Sequence, residues 1–211
     1  MRGKLPDYAI AASLASWSVG AALALGQGEA PPWPARLAAA SVHAVAAWLF
    51  VARTAAIETA HPRSLLVAAP SLILSGLAFR LGAARLEGAT LALFVIGAAG
   101  TCASLLTLGR SFAIFVARRE LVAKGPYALV RHPAYACELA MILATSIAGS
   151  SLDADERVLG VSRGIAGLAI AALAVVTIVL RVREEERFLA SDAAYTRYAA
   201  RVRARLVPFV W

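Results

Sequence analysis

Six apolar stretches, each close to the length of a bilayer crossing, limit this chain more than any other feature of its sequence. They are Tyr8–Leu25, Leu37–Ala52, Ser64–Phe79, Gly88–Leu108, Ala134–Ser150 and Val158–Leu180. An α-helix rises 1.5 Å per residue, so roughly 20 residues cross a hydrocarbon core about 30 Å thick. The second and third stretches hold only 16 residues between charges. Their flanking Arg36, Arg53, Arg63 and Arg80 can snorkel, which lets each helix run past its charge. Pro70 inside the third stretch allows a kink or an incomplete crossing. The expectation is an all-α polytopic transmembrane bundle of about six spans, with five as the alternative, in a single membrane domain. Residues 1–87 supply the first three spans and residues 88–211 a core that carries the chemistry.

Charge placement supports that count. With the N-terminus on one side, that side collects Arg2, Lys4, Arg53, Arg63, Arg110, Arg118, Arg119, Lys124, Arg131 and the seven arginines from Arg181 to Arg205, 16 in all; the other side holds Arg36, Arg80, Arg85, Arg157 and Arg163, 5 in all. So strong a bias puts both termini in the cytoplasm. It accounts for the net charge of +8 through anionic headgroups at the inner leaflet, without nucleic acid. A chain that is 60% hydrophobic and 16% charged is neither a soluble cytosolic enzyme nor disordered. The basic start, Met1-Arg2-Gly3-Lys4, would also suit a signal peptide, but the apolar run after it is as long as a span and others follow, so a first transmembrane helix is expected. Cys102 and Cys137 lie in apolar runs, with no CxxC or zinc spacing, and read as buried thiols; no metal is expected. No internal repeat points to an inverted-repeat transporter.

Two segments carry chemistry, both on the cytoplasmic side. The first is the long connection Gly109–Pro133, ending in Lys124-Gly125-Pro126-Tyr127 and Arg131-His132-Pro133-Ala134-Tyr135. Gly125-Pro126 signals a turn, and Pro133 suits the first position of a helix, where its missing N–H is not needed. The fifth span then opens at His132-Pro133. Its unpaired N–H groups and positive dipole end lie beside Arg131 and His132, a setting suited to a carboxylate or phosphate. Tyr135 offers a hydroxyl one turn in, and Glu138, three residues on, shares its face. An intramembrane carboxylate is a functional candidate by default. The plain alternative is an ordinary interfacial boundary, with a snorkelling Arg, a belt Tyr and a Glu paired to a neighbour.

The second segment follows the sixth span. Arg183-Glu184-Glu185-Glu186-Arg187 leaves the membrane without a helix breaker, so the helix is expected to continue; consecutive residues point about 100° apart, so only one or two of the carboxylates can face one pocket. The alternative is a solvated run salt-bridged to Arg181, Arg183 and Arg187. Beyond it, Tyr195, Tyr198, Val202 and Leu206 fall near one stripe between arginines, an amphipathic C-terminal helix lying on the inner leaflet or capping a cytoplasmic pocket. Asp153, Asp155 and Glu156, on the far side, read as a solvated turn, Gly26-Gln27-Gly28 as a weak interhelical loop, and the mid-span His43 as a packed imidazole bonded to a neighbour.

The order and spacing of Lys124-Gly125-Pro126-Tyr127, Arg131-His132-Pro133-Ala134-Tyr135, Glu185-Glu186-Arg187-Phe188-Leu189 and the Tyr195/Tyr198 tail ending in Pro208 resemble the isoprenylcysteine carboxyl methyltransferase family, to which the phospholipid N-methyltransferases look similar. The resemblance runs from about Leu91 to Pro208. One position departs: such sequences usually have glycine two residues after the motif tyrosine, and here Cys137 stands there, a larger group that would narrow a cofactor cleft. The resemblance implies an integral-membrane methyltransferase using S-adenosyl-L-methionine, the cofactor arriving from the cytosol and a lipophilic acceptor from the bilayer. It implies a cofactor site of Lys124, Gly125, Tyr127, His132, Pro133, Tyr135, Glu185, Glu186, Tyr195 and Tyr198, with Arg131, His132 and Glu138 as catalytic candidates; Glu138 or His132 would serve as base for an amine or hydroxyl acceptor. Carboxylate, amine and thiol acceptors all remain open. The Ala- and Arg-rich composition suggests a bacterial inner membrane. The rival readings are an NADPH-dependent reductase of the membrane sterol type, whose sequences share a His-Pro-x-Tyr end, and a non-enzymatic membrane scaffold or transporter subunit.

Overall fold

The computed structural model describes residues 5–23, 29–53, 58–59, 64–112, 117–118, 120–150, 157–158, 161–208 and 211. Asp153, Asp155 and Glu156 and the Gly26–Gly28 loop lie outside them. Each of the six apolar stretches contributes one helix: α1 (Leu5–Leu23), α2 (Trp33–Ala52), α3 (Ser64–Gly82), α4 (Gly88–Leu108), α5 (Pro133–Gly149) and α6 (Arg163–Leu189), the last starting five residues later than the apolar stretch from Val158. A short α7 (Ala193–Arg201) follows. The described strands are two-residue pairings that tie loops together: β1 (Glu58–Thr59) with β2 (Ala117–Arg118), and β3 (Arg157–Val158) with β4 (Val161–Ser162).

Among the described residues, three helices are long and apolar enough to cross a membrane by themselves: α2, α4 with its 3-10 extension to Ser111, and α6. At 17 residues, α5 spans roughly 26 Å at 1.5 Å per residue. Pro70 lies inside α3, which continues through it as a helix. The expected all-α membrane bundle is what the chain forms.

Packing follows the sequence of small residues. α1 packs on α2, α2 on α4, α4 on α5, and α3, α5 and α6 pack against one another. With lipid as apolar as leucine, helices associate through close packing at small side chains. The tightest seams are made at glycines. A Cβ on Gly97 would come within 2.8 Å of Met141 Cγ, and one on Gly82 within 1.8 Å of the Thr145 carbonyl oxygen. Buried side chains fill three clusters, around Phe94, around Phe50 and Phe112, and around Ile178 and Val182.

The helices alternate in direction, so two ends can be told apart. At one, Arg53 after α2 bonds Asp7 in α1 (Nε to Oδ2 2.9 Å), and the β1–β2 pair ties the loops after α2 and α4. At the other, Gly82 of α3 meets Gly149 of α5, and Arg163 at the start of α6 donates to the Leu81 carbonyl. The start of α5, the end of α6 and α7 all lie at the first, arginine-rich end.

α6 runs 27 residues. Roughly 20 of them complete a crossing, which places its last two turns, with Glu184–Glu186, beyond the core. The helix does continue through the three carboxylates, whose charges would oppose the dipole if it ended at them. α7 differs from expectation. Asp192 caps it, its side chain accepting from the Ala194 N–H at 2.7 Å, but it stops at Arg201. The stripe therefore does not reach Leu206 as one helix. Instead the chain extends across the start of α5: Arg131 and His132 donate their N–H groups to the carbonyls of Ala204 and Arg205, both at 2.9 Å.

Candidate functional site

The site is built where α5 begins, and local backbone chemistry sets that place. Gly125 adopts φ 57°, a left-handed conformation that favours glycine, and opens a 3-10 turn over Gly125–Ala128. The turn carries Tyr127 inward, and α5 then starts at Pro133 with His132 as its N-cap residue. No side chain caps the helix. The rings of His132 and Tyr135 stack with centroids 5.6 Å apart.

The acidic end of α6 closes on this start. Tyr135 donates its hydroxyl to Glu185 Oε2 at 2.7 Å. Glu186 is the hub: His132 Nε2 and Arg131 Nη1 each lie 3.2 Å from its Oε1, Arg205 Nε lies 2.6 Å from its Oε2, and the Tyr195 hydroxyl reaches Oε1 at 3.4 Å. Glu184 points outward into an exposed pair with Arg187. Thus two of the three adjacent carboxylates face the start of α5, and the solvated reading holds for the third. Burial works against charge on Glu186. Bonds from His132 and Arg205 and the nearby Arg131 charge outweigh it and hold the carboxyl at about 2.

α7 is the roof. Tyr198, almost fully buried, donates to the Tyr127 carbonyl at 2.8 Å, and the Tyr195 and Tyr198 rings meet edge to face. Burial pushes the Tyr198 phenol up to about 12, the Arg131 charge opposing and the Glu186 charge adding to the shift. Burial raises Tyr127 and Tyr195 further still, so all three remain protonated donors. Tyr198→Phe leaves the Tyr127 carbonyl without its partner. It is expected to cost about 1–3 kcal/mol, read as a lower thermal unfolding midpoint in detergent.

One turn deeper lies a second polar group. Glu138 accepts from Ser75 of α3 at 2.9 Å and faces Arg181 of α6 at 4.0 Å. Arg181 is 3% exposed, donates to Ser71 Oγ at 2.9 Å and lies over the Tyr135 ring at 4.6 Å. The structure therefore brings Tyr127, Arg131, His132, Pro133, Tyr135, Glu138, Glu185, Glu186, Tyr195 and Tyr198 to one end of the bundle. Lys124 and Gly125 sit at its edge, Lys124 exposed and Gly125 backed onto Thr107. Cys137 lies against Gly100 of α4, so its added volume is taken up in the α4–α5 contact.

Sequence reasoning missed Arg205, which it counted only as an arginine of the amphipathic tail. It grouped Arg181 with the solvated run, although Arg181 precedes Glu185 by four residues and so shares its inward face. It also passed over Ser71 and Ser75, which carry no motif. His43 behaves as expected, its Nδ1 lying 2.7 Å from the Ala39 carbonyl. Among the described residues no group of three or more His, Cys, Asp or Glu side chains could hold a metal ion.

An apolar antiparallel bundle with an ionic cluster gathered at one end defines an integral membrane protein with a polar site at the membrane boundary. Residues 90–191, a little under half of the chain, match the model of the isoprenylcysteine carboxyl methyltransferase (ICMT) family, a similarity that points to a membrane methyltransferase. The match runs from α4 through α6 and stops before α7, short of the tail that the motif spacing also pointed to. No curated protein matches the chain.

Proposed function

We propose that the protein is an S-adenosyl-L-methionine-dependent methyltransferase acting on a lipophilic acceptor drawn from the bilayer. It sits in a bacterial inner membrane with its arginine-rich end and both termini in the cytoplasm. Its partners are the lipid substrate and anionic lipids, not nucleic acid. The observation that carries this reading is the convergence of the start of α5 with the acidic end of α6, shown by the Tyr135–Glu185 and His132–Glu186 contacts.

The residues fit a zwitterionic amino-acid moiety. Glu185 has one oxygen on Tyr135 and accepts no other bond among the described residues, which suits an ammonium. The first-turn N–H groups of α5, beside Arg131 and His132, suit a carboxylate. Tyr127, Tyr195 and Tyr198 supply aromatic and apolar surface for a nucleoside. S-Adenosylmethionine supplies an electrophilic methyl group when bound. The chain's own residues then have three tasks. Arg131, His132, Glu185 and Glu186 orient, α7 and its tyrosines exclude water, and Glu138 stands ready to hold a proton from an amine or hydroxyl acceptor. A carboxylate or thiolate acceptor needs no base, so positioning and dehydration supply most of the acceleration.

The test is a titration of the purified protein with S-adenosylhomocysteine and, separately, NADPH, followed by incubation with methyl-labelled S-adenosylmethionine and a membrane lipid extract. Saturable S-adenosylhomocysteine binding and label in the lipid fraction are expected. Binding of NADPH alone would transfer the protein to the reductase reading, and binding of neither to a non-enzymatic role.

A further inference from the structure

The family match begins at residue 90, so α3 lies wholly outside it. Yet α3 supplies two side chains to the polar group beneath the candidate site. Ser71 is fully buried and accepts from Arg181 Nη1 at 2.9 Å. Ser75, one turn on, is 2.9 Å from Glu138 Oε1 and 2.8 Å from the Ser71 carbonyl. A hydroxyl has one proton, so Ser75 serves either the carboxylate or the helix carbonyl, and turning between them needs only rotation of the O–H about its C–O bond.

Serine is a common seam residue between helices in lipid, where it packs closely and bonds across to a neighbour; what sets these two apart is the partners they bond. Here two serines, four residues apart on one face of α3, meet the ionisable side chains that α5 and α6 place inside the bundle. Ser71 touches the cation and Ser75 the carboxylate, so each charge is held from the α3 side as well as by the other. The Arg181–Glu138 separation of 4.0 Å is long for a direct pair, and Ser71 and Ser75 add one hydrogen bond to each partner. Tyr135, stacked under Arg181 and bonded to Glu185, joins this group to the boundary cluster.

We propose that Ser71 and Ser75 are positioning residues of the reaction site: they fix Arg181 and Glu138, and thereby set where the polar head of the acceptor docks beneath the cofactor. The inference rests on the methyltransferase reading above. It places part of acceptor selection in the N-terminal half of the chain, on a helix the family match does not include. Neither serine touches the boundary cluster directly, and the link runs only through Arg181 and Tyr135, so a small effect on cofactor affinity is expected.

The experiment compares wild type with Ser71→Ala, Ser75→Ala and Ser75→Thr, each purified in detergent and checked for cooperative thermal unfolding. S-Adenosylhomocysteine binding is measured by calorimetry, and methyl transfer by label incorporated into lipids of a membrane extract, with the labelled species separated. Both alanine variants are expected to bind S-adenosylhomocysteine within about twofold of wild type and to lose about tenfold or more in transfer, the size of a hydrogen bond to a charged group. The loss is carried by KM for the extract, and the distribution of labelled species changes. Ser75→Thr keeps the hydroxyl and restores transfer, which separates positioning from packing. Wild-type transfer and product distribution in both alanine variants overturn the inference and leave the proposed function standing. A wild-type protein that neither binds S-adenosylhomocysteine nor transfers label overturns both.

Discussion

Glu186→Gln is expected to abolish measurable S-adenosylhomocysteine binding, at least about a hundredfold, and to lower stability by about 3 kcal/mol. Glu186 is the carboxylate on which Arg131, His132 and Arg205 converge. Breaking a buried ion pair by removing one partner costs about 3–5 kcal/mol, because the other charge stays behind unpaired. Here two guanidinium groups would be left facing an amide whose N–H₂ they repel. Arg205 is about a third exposed, so water relieves part of the cost and the lower end of that range applies. For a chain of this length, about 3 kcal/mol lowers the thermal midpoint by roughly 6–12 °C. Glu184→Gln is the control. Its pair with Arg187 is exposed, and the change should stay within about 0.5 kcal/mol with binding intact. Equal behaviour of the two variants would show that the Glu186 hub does not organise the site.

The second large effect is expected far from that hub. Gly82→Ala puts a methyl group 1.8 Å from the Thr145 carbonyl oxygen and 2.6 Å from its carbon. These are main-chain atoms of α5, and no rotamer change can clear them. Overpacking costs about 1–3 kcal/mol, more where the backbone must move, so a loss of about 3 kcal/mol or more is expected in thermal unfolding. The consequence reaches the site. α3 and α5 run side by side in the same direction, and the seam that Gly82 closes at one end holds the Ser75–Glu138 bond towards the other. Pushing the helices apart therefore lowers methyl transfer as well as stability. Gly76→Ala, on the exposed face of α3 with nothing within 4 Å, should be neutral or gain up to about 1 kcal/mol from helix propensity. A thermal midpoint for Gly82→Ala no lower than that for Gly76→Ala would refute the close approach of α3 to α5.

Apolar length and the positions of proline and glycine made most of the fold legible. Pro133 marked the start of α5, and three carboxylates unsuited to a helix end marked the continuation of α6. The 100° advance per residue meant that Glu184, Glu185 and Glu186 could not all face inward, and Glu184 is the one that faces out. What stayed hidden depends on which helices become neighbours. Nothing local distinguishes Ser75 from any serine in an apolar helix; its importance comes from α3 lying beside α5 and α6, which no periodicity in α3 records. The end of α7 was misjudged for a related reason. The Tyr195–Leu206 stripe fits a helix, but the chain after Arg201 gains main-chain bonds to Arg131 and His132 that an isolated helix could not offer.

That crossing segment ties the tail to the head of the fifth helix. Residues 204 and 205 take the backbone N–H groups of Arg131 and His132, and the Arg205 side chain also holds Glu186. Cutting the chain after Arg201 or Arg203 would therefore free Arg205 from Glu186, so resistance of those two arginines to trypsin in detergent becomes a direct report on whether the ionic cluster is assembled.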